Sequence, residues 1–388
     1  MTTDNQLINR CLQLASFAQG KTAPNPLVGA VIVHNGEIIG EGYHQFYGGA
    51  HAEVNAVAAV KNKDLLCKST LYVNLEPCSH FGKTPPCVDL IIESKIPKVV
   101  VGMLDPNPKV NGKGIEKLRN AGIEVVVGVE EKKCRELNKI FITNIEKQRP
   151  YILLKWAQTA DGFIDIIRQT ADIEPLKISN AVTKTLNHQL RTQYSAILTG
   201  TKTALLDNPK LTVTKWTGKS PVRMVIDKNL ILPNSYNIFD NSAKSIIFCS
   251  LLSFLRRQES LDIKTIAGHT STSLSNHTSA SLGNQARNDN ALLFKEKNTE
   301  FVTLNFEENI IPQILNYLYI NKLSSIIVEG GRQLLQAFID QNLWDECHIE
   351  TSPQIISNGV SAPIFPKEKP CKTTFYRDNS MQIISVFS

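Results

Sequence analysis

Two α/β units in tandem are the fold this sequence predicts, on three observations. The chain has 388 residues, more than one ordinary core of ~100–200 residues accommodates. Short apolar runs alternate with segments of helical period from residue 4 to residue 127. The alternation starts afresh at Tyr151-Ile152-Leu153-Leu154, just after Arg149-Pro150. Strands that are apolar throughout and separated by helices imply a sheet covered on both faces.

Leu7, Ile8, Cys11, Leu12, Ala15 and Ala18 recur at helical spacing after Thr3-Asp4, which can cap, and Gly20 ends the run. Val28 to Val33 and Ile38 to Gly42 read as strands around Asn35-Gly36, a pair that favours a tight hairpin turn. The pattern then predicts helix 51–60, strand 70–75, helix 86–95, strand 98–103, helix 112–121 and strand 123–127. In the second unit it predicts a helix at 180–193, strands at 195–199 and 222–227, a strand at 325–329 and a helix at 332–341. Residues 251–290 interrupt that alternation. They are rich in Ser, Thr and Asn and show no period of 2 or 3.6, so a disordered insertion is expected there. The units are expected to span 1–149 and 150–388.

Composition excludes several classes. Hydrophobic residues make up 42% of the chain and charged ones 20%, ordinary values for a globular protein. The formal charge is +6, but the 42 Lys and Arg form no block. No nucleic-acid partner is therefore expected, and an anionic small substrate suits the balance. The longest apolar runs fall far short of the ~20 residues of a membrane span, so no membrane partner is expected either. Met1-Thr2-Thr3-Asp4-Asn5 does not read as a secretory signal, and the expected compartment is the cytoplasm. Eight irregularly spaced cysteines in a reducing compartment argue against a disulfide framework.

Two of those cysteines have a better use. His51-Ala52-Glu53 is followed by Pro77-Cys78 and then by Cys87. One imidazole and two thiolates suit Zn²⁺, and three protein ligands leave the fourth tetrahedral position for water, the mark of a catalytic site. Glu53 lies two residues from the histidine on the same helix start, where it can move protons without binding the metal. The H-x-E and P-C arrangement is the general one of zinc nucleobase deaminases. That template ends in C-x-x-C, whereas here Ser79 to Pro86 form a longer loop between the thiols. The loop is expected to shape a pocket for a larger substrate, with Lys83 meeting an anionic group. His80 supplies the competing reading: as a fourth ligand it would close the site and make it structural.

With these residues in view, the sequence resembles the family of bifunctional riboflavin-biosynthesis deaminases and reductases. The resemblance rests on Pro24-Asn25-Pro26-Leu27-Val28-Gly29-Ala30, on Gly49 to Glu53, on Glu76 to Cys87 with the long cysteine loop, and on Asp105-Pro106-Asn107-Pro108 with Gly112 and Gly114. It implies a cytidine-deaminase-like three-layer α/β/α domain followed by a dihydrofolate-reductase-like α/β domain. By the same resemblance His51, Cys78 and Cys87 hold zinc, Glu53 shuttles protons, and Asn25 helps to hold the pyrimidine. The implied substrate is a diaminopyrimidinone carrying a ribosylamino 5'-phosphate.

The second half lacks a G-x-G-x-x-G fingerprint, but Glu329-Gly330-Gly331 places two glycines between a strand and a helix start, a setting suited to a phosphate. Lys155 to Gly162, Arg191, the run Thr203, Asp207, Pro209, Leu211 to Val213, and the Glu-Gly-Gly turn resemble the reductase half of the same family. The resemblance implies that NADPH reduces the ribose to a ribityl chain, with Ala157, Thr203, Asp207 and Gly331 lining the cofactor and Arg191, Leu211 and Glu329 contacting substrate. Two positions depart from the pattern: Lys177 stands where the family has a tryptophan, and Thr214 where it has an arginine. A homo-oligomer is expected, since two-domain enzymes of this kind often pair through the reductase-like domain. Two other readings stay open: a deaminase whose second half only packs or dimerises, and a non-enzymatic, zinc-stabilised binding protein.

Overall fold

Thr3 starts the first helix, α1 (Asp4–Ser16), through a capping box in which its hydroxyl accepts from the Gln6 N–H and the Gln6 side chain accepts from the Thr3 N–H. The computed structural model describes residues 3–79, 81, 85–108, 110–257, 293–366 and 371–385. After α1 comes the hairpin β1 (Gly29–His34) and β2 (Glu37–Tyr43), turned by Asn35 and Gly36, both at positive φ. Helix α2 (Ala52–Ala59) lies directly on β2: a Cβ at Gly42 would stand 2.4 Å from the Ala56 nitrogen and 2.6 Å from the Ala52 oxygen. Only glycine permits that approach.

The first sheet continues with β3 (Thr70–Val73), β4 (Lys98–Val101) and β5 (Glu124–Val127), in the order β2-β1-β3-β4-β5. β1 is antiparallel to β2 and β3, while β3, β4 and β5 run parallel. The period-2 pleat sends Ala30 and Ile32 to one face and Val31 and Val33 to the other. On the first face they meet α2, α3 (Cys87–Glu93) and α4 (Lys113–Asn120); on the second, α1 and two further helices, α5 (Glu131–Leu137) and α6 (Lys139–Lys147). The result is the expected three-layer α/β/α unit.

The second sheet has ten strands. Seven run parallel: β12 (Thr299–Leu304), β10 (Ser245–Ser250), β9 (Val222–Ile226), β8 (Ala196–Gly200), β13 (Ser325–Val328), β6 (Tyr151–Gln158) and β14 (Glu346–Thr351), adjacent in that order. β17 (Asn379–Ser385) and β16 (Cys371–Tyr376) extend one edge and β11 (Leu293–Glu296) the other, all antiparallel to their neighbours. β7 (Phe163–Asp165) and β15 (Val360–Ser361) make a separate antiparallel pair. Along β6, Ile152, Leu154 and Trp156 enter one core and Tyr151 and Leu153 the other. The expected helix at 180–193 is α7 (Ala181–Arg191), which Asn180 caps by accepting from the Val182 and Thr183 N–H groups. Helix α8 (Thr201–Asp207) follows β8 without a loop, and helix Arg332–Asp340 follows β13.

Three differences from the sequence reading have physical causes. The strands expected over 70–75 and 98–103 stop at Val73 and Val101, where the chain leaves the ladder to build the loops that carry Cys78 and Asn107. Helices α5 and α6 went unanticipated because α5 buries only Cys134, while α6 divides its apolar residues among a cavity and two cores instead of one stripe. The insertion expected over 251–290 is helical over its first seven described residues, 251–257, because Phe254 is buried in the second sheet's core. Residues 258–290 lie outside the described residues. No helix among the described residues is long and apolar enough to cross a membrane.

Candidate active site and metal centre

His51 caps α2 in extended backbone (φ −72°, ψ 162°), so its ring leaves the helix start while Glu53 sits in the first turn behind it. Cys87 is the first residue of α3, and Cys78 lies within the loop between β3 and α3. These segments converge: the His51 Nδ1 lies 3.2 Å from the Cys87 Sγ and 3.5 Å from the Cys78 Sγ, and all three donor atoms fall within 4.8 Å of one another. Such separations match three corners of a tetrahedron with Zn–S and Zn–N distances of about 2.3 and 2.0 Å. No other set of three such side chains clusters among the described residues.

The hydrogen bond with Cys87, helped by one to His51, holds Cys78 well below the ordinary thiol range, and the same contact raises Cys87. The Cys78 thiolate in turn raises the His51 imidazole. Glu53 is 3% exposed, and burial, with Cys78 beside it, lifts its carboxyl to about 7. A buried carboxyl titrating near neutrality is suited to moving protons, and a bound dication would draw it back down.

These groups open onto a cavity of about 370 Å³. Asn25, His44, Glu53, Cys78 and Asn107 line its polar side, and Val110, Phe141 and Ile145 its apolar side. The His44 Nδ1 is 3.0 Å from the Ala50 oxygen and must donate to it, so Nε2 is the acceptor for the Asn25 amide 3.1 Å away. That neutral tautomer agrees with burial, which lowers the His44 pKa. Lys83 and His80 lie outside the described residues.

Sequence reasoning missed the carboxylate that supports this site. Glu76, nearly fully buried, accepts from the N–H groups of Asp105, Gly112, Gly114 and Ile115 at 2.9–3.4 Å, pinning the 105–115 loop beside Cys78. Gly114 is needed there, since a Cβ would lie 2.4 Å from the Pro77 oxygen. Asn74 and Asn138 were also missed: the first accepts from Gly29 N and donates to Leu27 O, and the second accepts from Leu27 N and donates to Leu27 O, fixing the backbone beside Asn25. An unpaired Glu next to Pro77-Cys78 was the one available signal. His44, Phe141 and Ile145 left none, because their roles arise only from tertiary contact.

In the second half β8 and β13 are parallel neighbours, so α8 and helix Arg332–Asp340 begin side by side. A Cβ at Gly331 would stand 3.2 Å from the Thr203 Oγ1, and one at Gly330 would stand 3.6 Å from the Gly200 nitrogen. Glycines keep this cradle open before two helix starts, a setting that fits the phosphates of a dinucleotide. Next to it Arg191 pairs with Glu329 at 2.6 Å, and the buried Arg191 Nε and Glu329 Oε1 have no partner, as expected of groups awaiting a ligand. Burial opposes the Glu329 charge, but Arg191 and Lys155 outweigh it and lower the pKa. Leu211 is buried at positive φ (54°) behind the Arg191 contact to Thr212 O.

Asp207 ends α8 and is bound by the buried Arg168, while Ala157 lies on β6 opposite Glu350. Of the departures, Lys177 is exposed and paired with Glu174, and the Thr214 N–H donates to the His188 Nδ1.

The family profile described as the cytidine and deoxycytidylate deaminase zinc-binding region matches residues 1–103, and that of the RibD C-terminal domain matches 150–385. Riboflavin biosynthesis protein RibD of Aquifex aeolicus is 38% identical, over 92% of this chain and 89% of that one. RibD of Synechocystis is 43% identical, over 71% and 74%. The crystal structure of a diaminohydroxyphosphoribosylaminopyrimidine deaminase/5-amino-6-(5-phosphoribosylamino)uracil reductase from Thermotoga maritima superposes with a TM-score of 0.78 at 32% identity, covering 98% of each chain. With a zinc-binding deaminase half, an NADPH-using reductase half and this likeness along nearly its whole length, the chain belongs to the RibD family of bifunctional riboflavin biosynthesis enzymes.

Proposed function

We propose that the chain deaminates 2,5-diamino-6-(5-phosphoribosylamino)pyrimidin-4-one and then reduces the ribosyl group of the product to a ribityl chain. The observation that carries this reading is the convergence of His51, Cys78 and Cys87 within 4.8 Å, with the buried Glu53 beside them, at a nucleotide-sized cavity.

Zinc held by these three donors supplies, when bound, the Lewis acidity that readies water for attack on the amino-bearing ring carbon. Glu53 accepts the proton that water gives up and returns it to the departing nitrogen, so that C–NH₂ and water become C=O and ammonia. Asn25, held by His44, turns its amide to the ring edge. Lys83 is assigned to the phosphate.

In the second half NADPH supplies a hydride when bound. Ala157, Thr203, Asp207 and Gly331 are assigned to its cleft, and Arg191, Leu211 and Glu329 to the sugar side. The Arg191–Glu329 pair offers sugar hydroxyls a donor and an acceptor already held in place, which lowers the ordering cost of binding. The two activities divide at Arg149-Pro150, between α6 and β6. We assign the chain to the cytoplasm, where Cys78 and Cys87 stay reduced as ligands, and to a homo-oligomer formed through the second half, which leaves Ile355, Ile364 and Phe375 exposed.

The test measures zinc content, ammonia release and NADPH oxidation on one preparation. One zinc per chain, ammonia release, and NADPH oxidation that requires the deaminated intermediate are expected. Ammonia without NADPH oxidation would favour the deaminase-only reading, and zinc without ammonia the binding-protein reading.

A further inference from the structure

Helix α6 touches three things at once. Its residues Phe141 and Ile145, one turn apart, line the cavity that holds Glu53 and Cys78, and both stay half-exposed to that space. Ile142 is buried in the first sheet's core, and Ile140 packs against the core of the second. Polar bonds then fasten the helix to the second half: Lys139 to Glu346 at 2.5 Å, the Asn144 amide to the Ser324 oxygen at 2.7 Å, and Lys147 to Asp345 at 2.8 Å. Glu346 and Asp345 are themselves buried and held by Tyr151, His348 and Arg149.

We propose that α6 is the deaminase pocket's specificity wall, and that the reductase half sets its position. An aminopyrimidine has polar edges and apolar faces. Asn25 and Glu53 serve the edges, and Phe141 and Ile145 are the apolar groups on this wall that can cover a face. Phe141 and Ile145 thus determine specificity by contact, whereas Lys139 and Glu346 are positioning residues that act through the helix. The proposal rests on the deaminase reading given above, and it makes the second half a support for the first site's binding surface.

The test uses the zinc-loaded full chain, with the phosphoribosylated diaminopyrimidine as substrate and ammonia release as readout. Phe141→Ala is expected to raise KM about tenfold with kcat nearly unchanged, the usual size of a lost apolar contact. Phe141→Leu, which keeps most of the packing volume, is expected to show a smaller rise and guards against misfolding of the first variant. Lys139→Met is expected to raise the deaminase KM without touching the pocket, and Lys139→Arg to restore it. Reduction of supplied intermediate should stay at the wild-type rate in the Phe141 variants. Wild-type deaminase KM in both Phe141 variants overturns the specificity role, and wild-type KM in Lys139→Met overturns the positioning role. A wild-type chain that releases no ammonia would instead sink the deaminase reading itself.

Discussion

At the scale of single residues, the chemistry turns on a buried acid next to three metal donors. Glu53 follows His51 by two residues on a helix start and lies 3% exposed beside the three donors, a position from which it can take and give a proton. Glu53→Gln is therefore expected to cut ammonia release by roughly 10²–10⁴-fold while zinc content stays at the wild-type level. Loss of zinc from that variant, measured by elemental analysis, would place the carboxylate in the coordination shell instead. Cys87→Ser should do the opposite and lose both metal and activity, since the thiolate is fully buried and nothing else described can replace it. Glu76 acts one layer out. Removing it in Glu76→Ala strands up to four N–H groups, at an expected cost of about 2–4 kcal/mol seen in urea unfolding.

At the scale of elements, strand ends followed by helix starts form both sites. In the first half His51 and Cys87 stand at the openings of α2 and α3, and the sequence showed this because metal ligands carry their own spacing. In the second half the Gly330-Gly331 turn faces α8 across parallel strands, and a branched side chain at Gly331 would fill the cradle. Gly331→Val is expected to raise the NADPH KM about tenfold or more and leave ammonia release intact, as steady-state assays of both reactions would show. Much of this was legible beforehand: alternating apolar runs gave β1 to β5, and Glu-Gly-Gly gave the second turn. What stayed hidden was tertiary. Helix α6 divides its apolar residues among a cavity and two cores, so no single stripe marks it, and His44 acquires its meaning only from the Ala50 oxygen and the Asn25 amide. The short helix at 251–257 was hidden by the polar composition of the residues after it, 258–290.

At the scale of the whole molecule, the halves are joined by ion pairs to two buried carboxylates, Asp345 and Glu346, rather than by a bare linker. Burial alone would raise the Glu346 pKa, but His348 and Lys139 override it and bring the carboxyl to about 2, against 4.5 when unperturbed. Asp345 is lowered in the same way, its burial outweighed by Arg149 and Lys147. A folded-state pKa below the unfolded one gives stability that is complete above the ordinary value and lost as pH falls toward the lowered one. For Glu346 alone that is on the order of 3 kcal/mol at neutral pH. Unfolding midpoints in urea should accordingly drop between about pH 5 and pH 2 in the wild type, and Glu346→Gln should flatten that drop and lower the neutral-pH midpoint. An unchanged acid limb in the variant would show that the contacts of Glu346 with His348 and Lys139 do not stabilise the fold. The whole account begins at the metal, and X-ray absorption at the zinc edge of the full chain tests it most directly. One nitrogen, two sulfurs and one light non-protein donor are predicted; a second imidazole nitrogen completing the shell would contradict an open catalytic site.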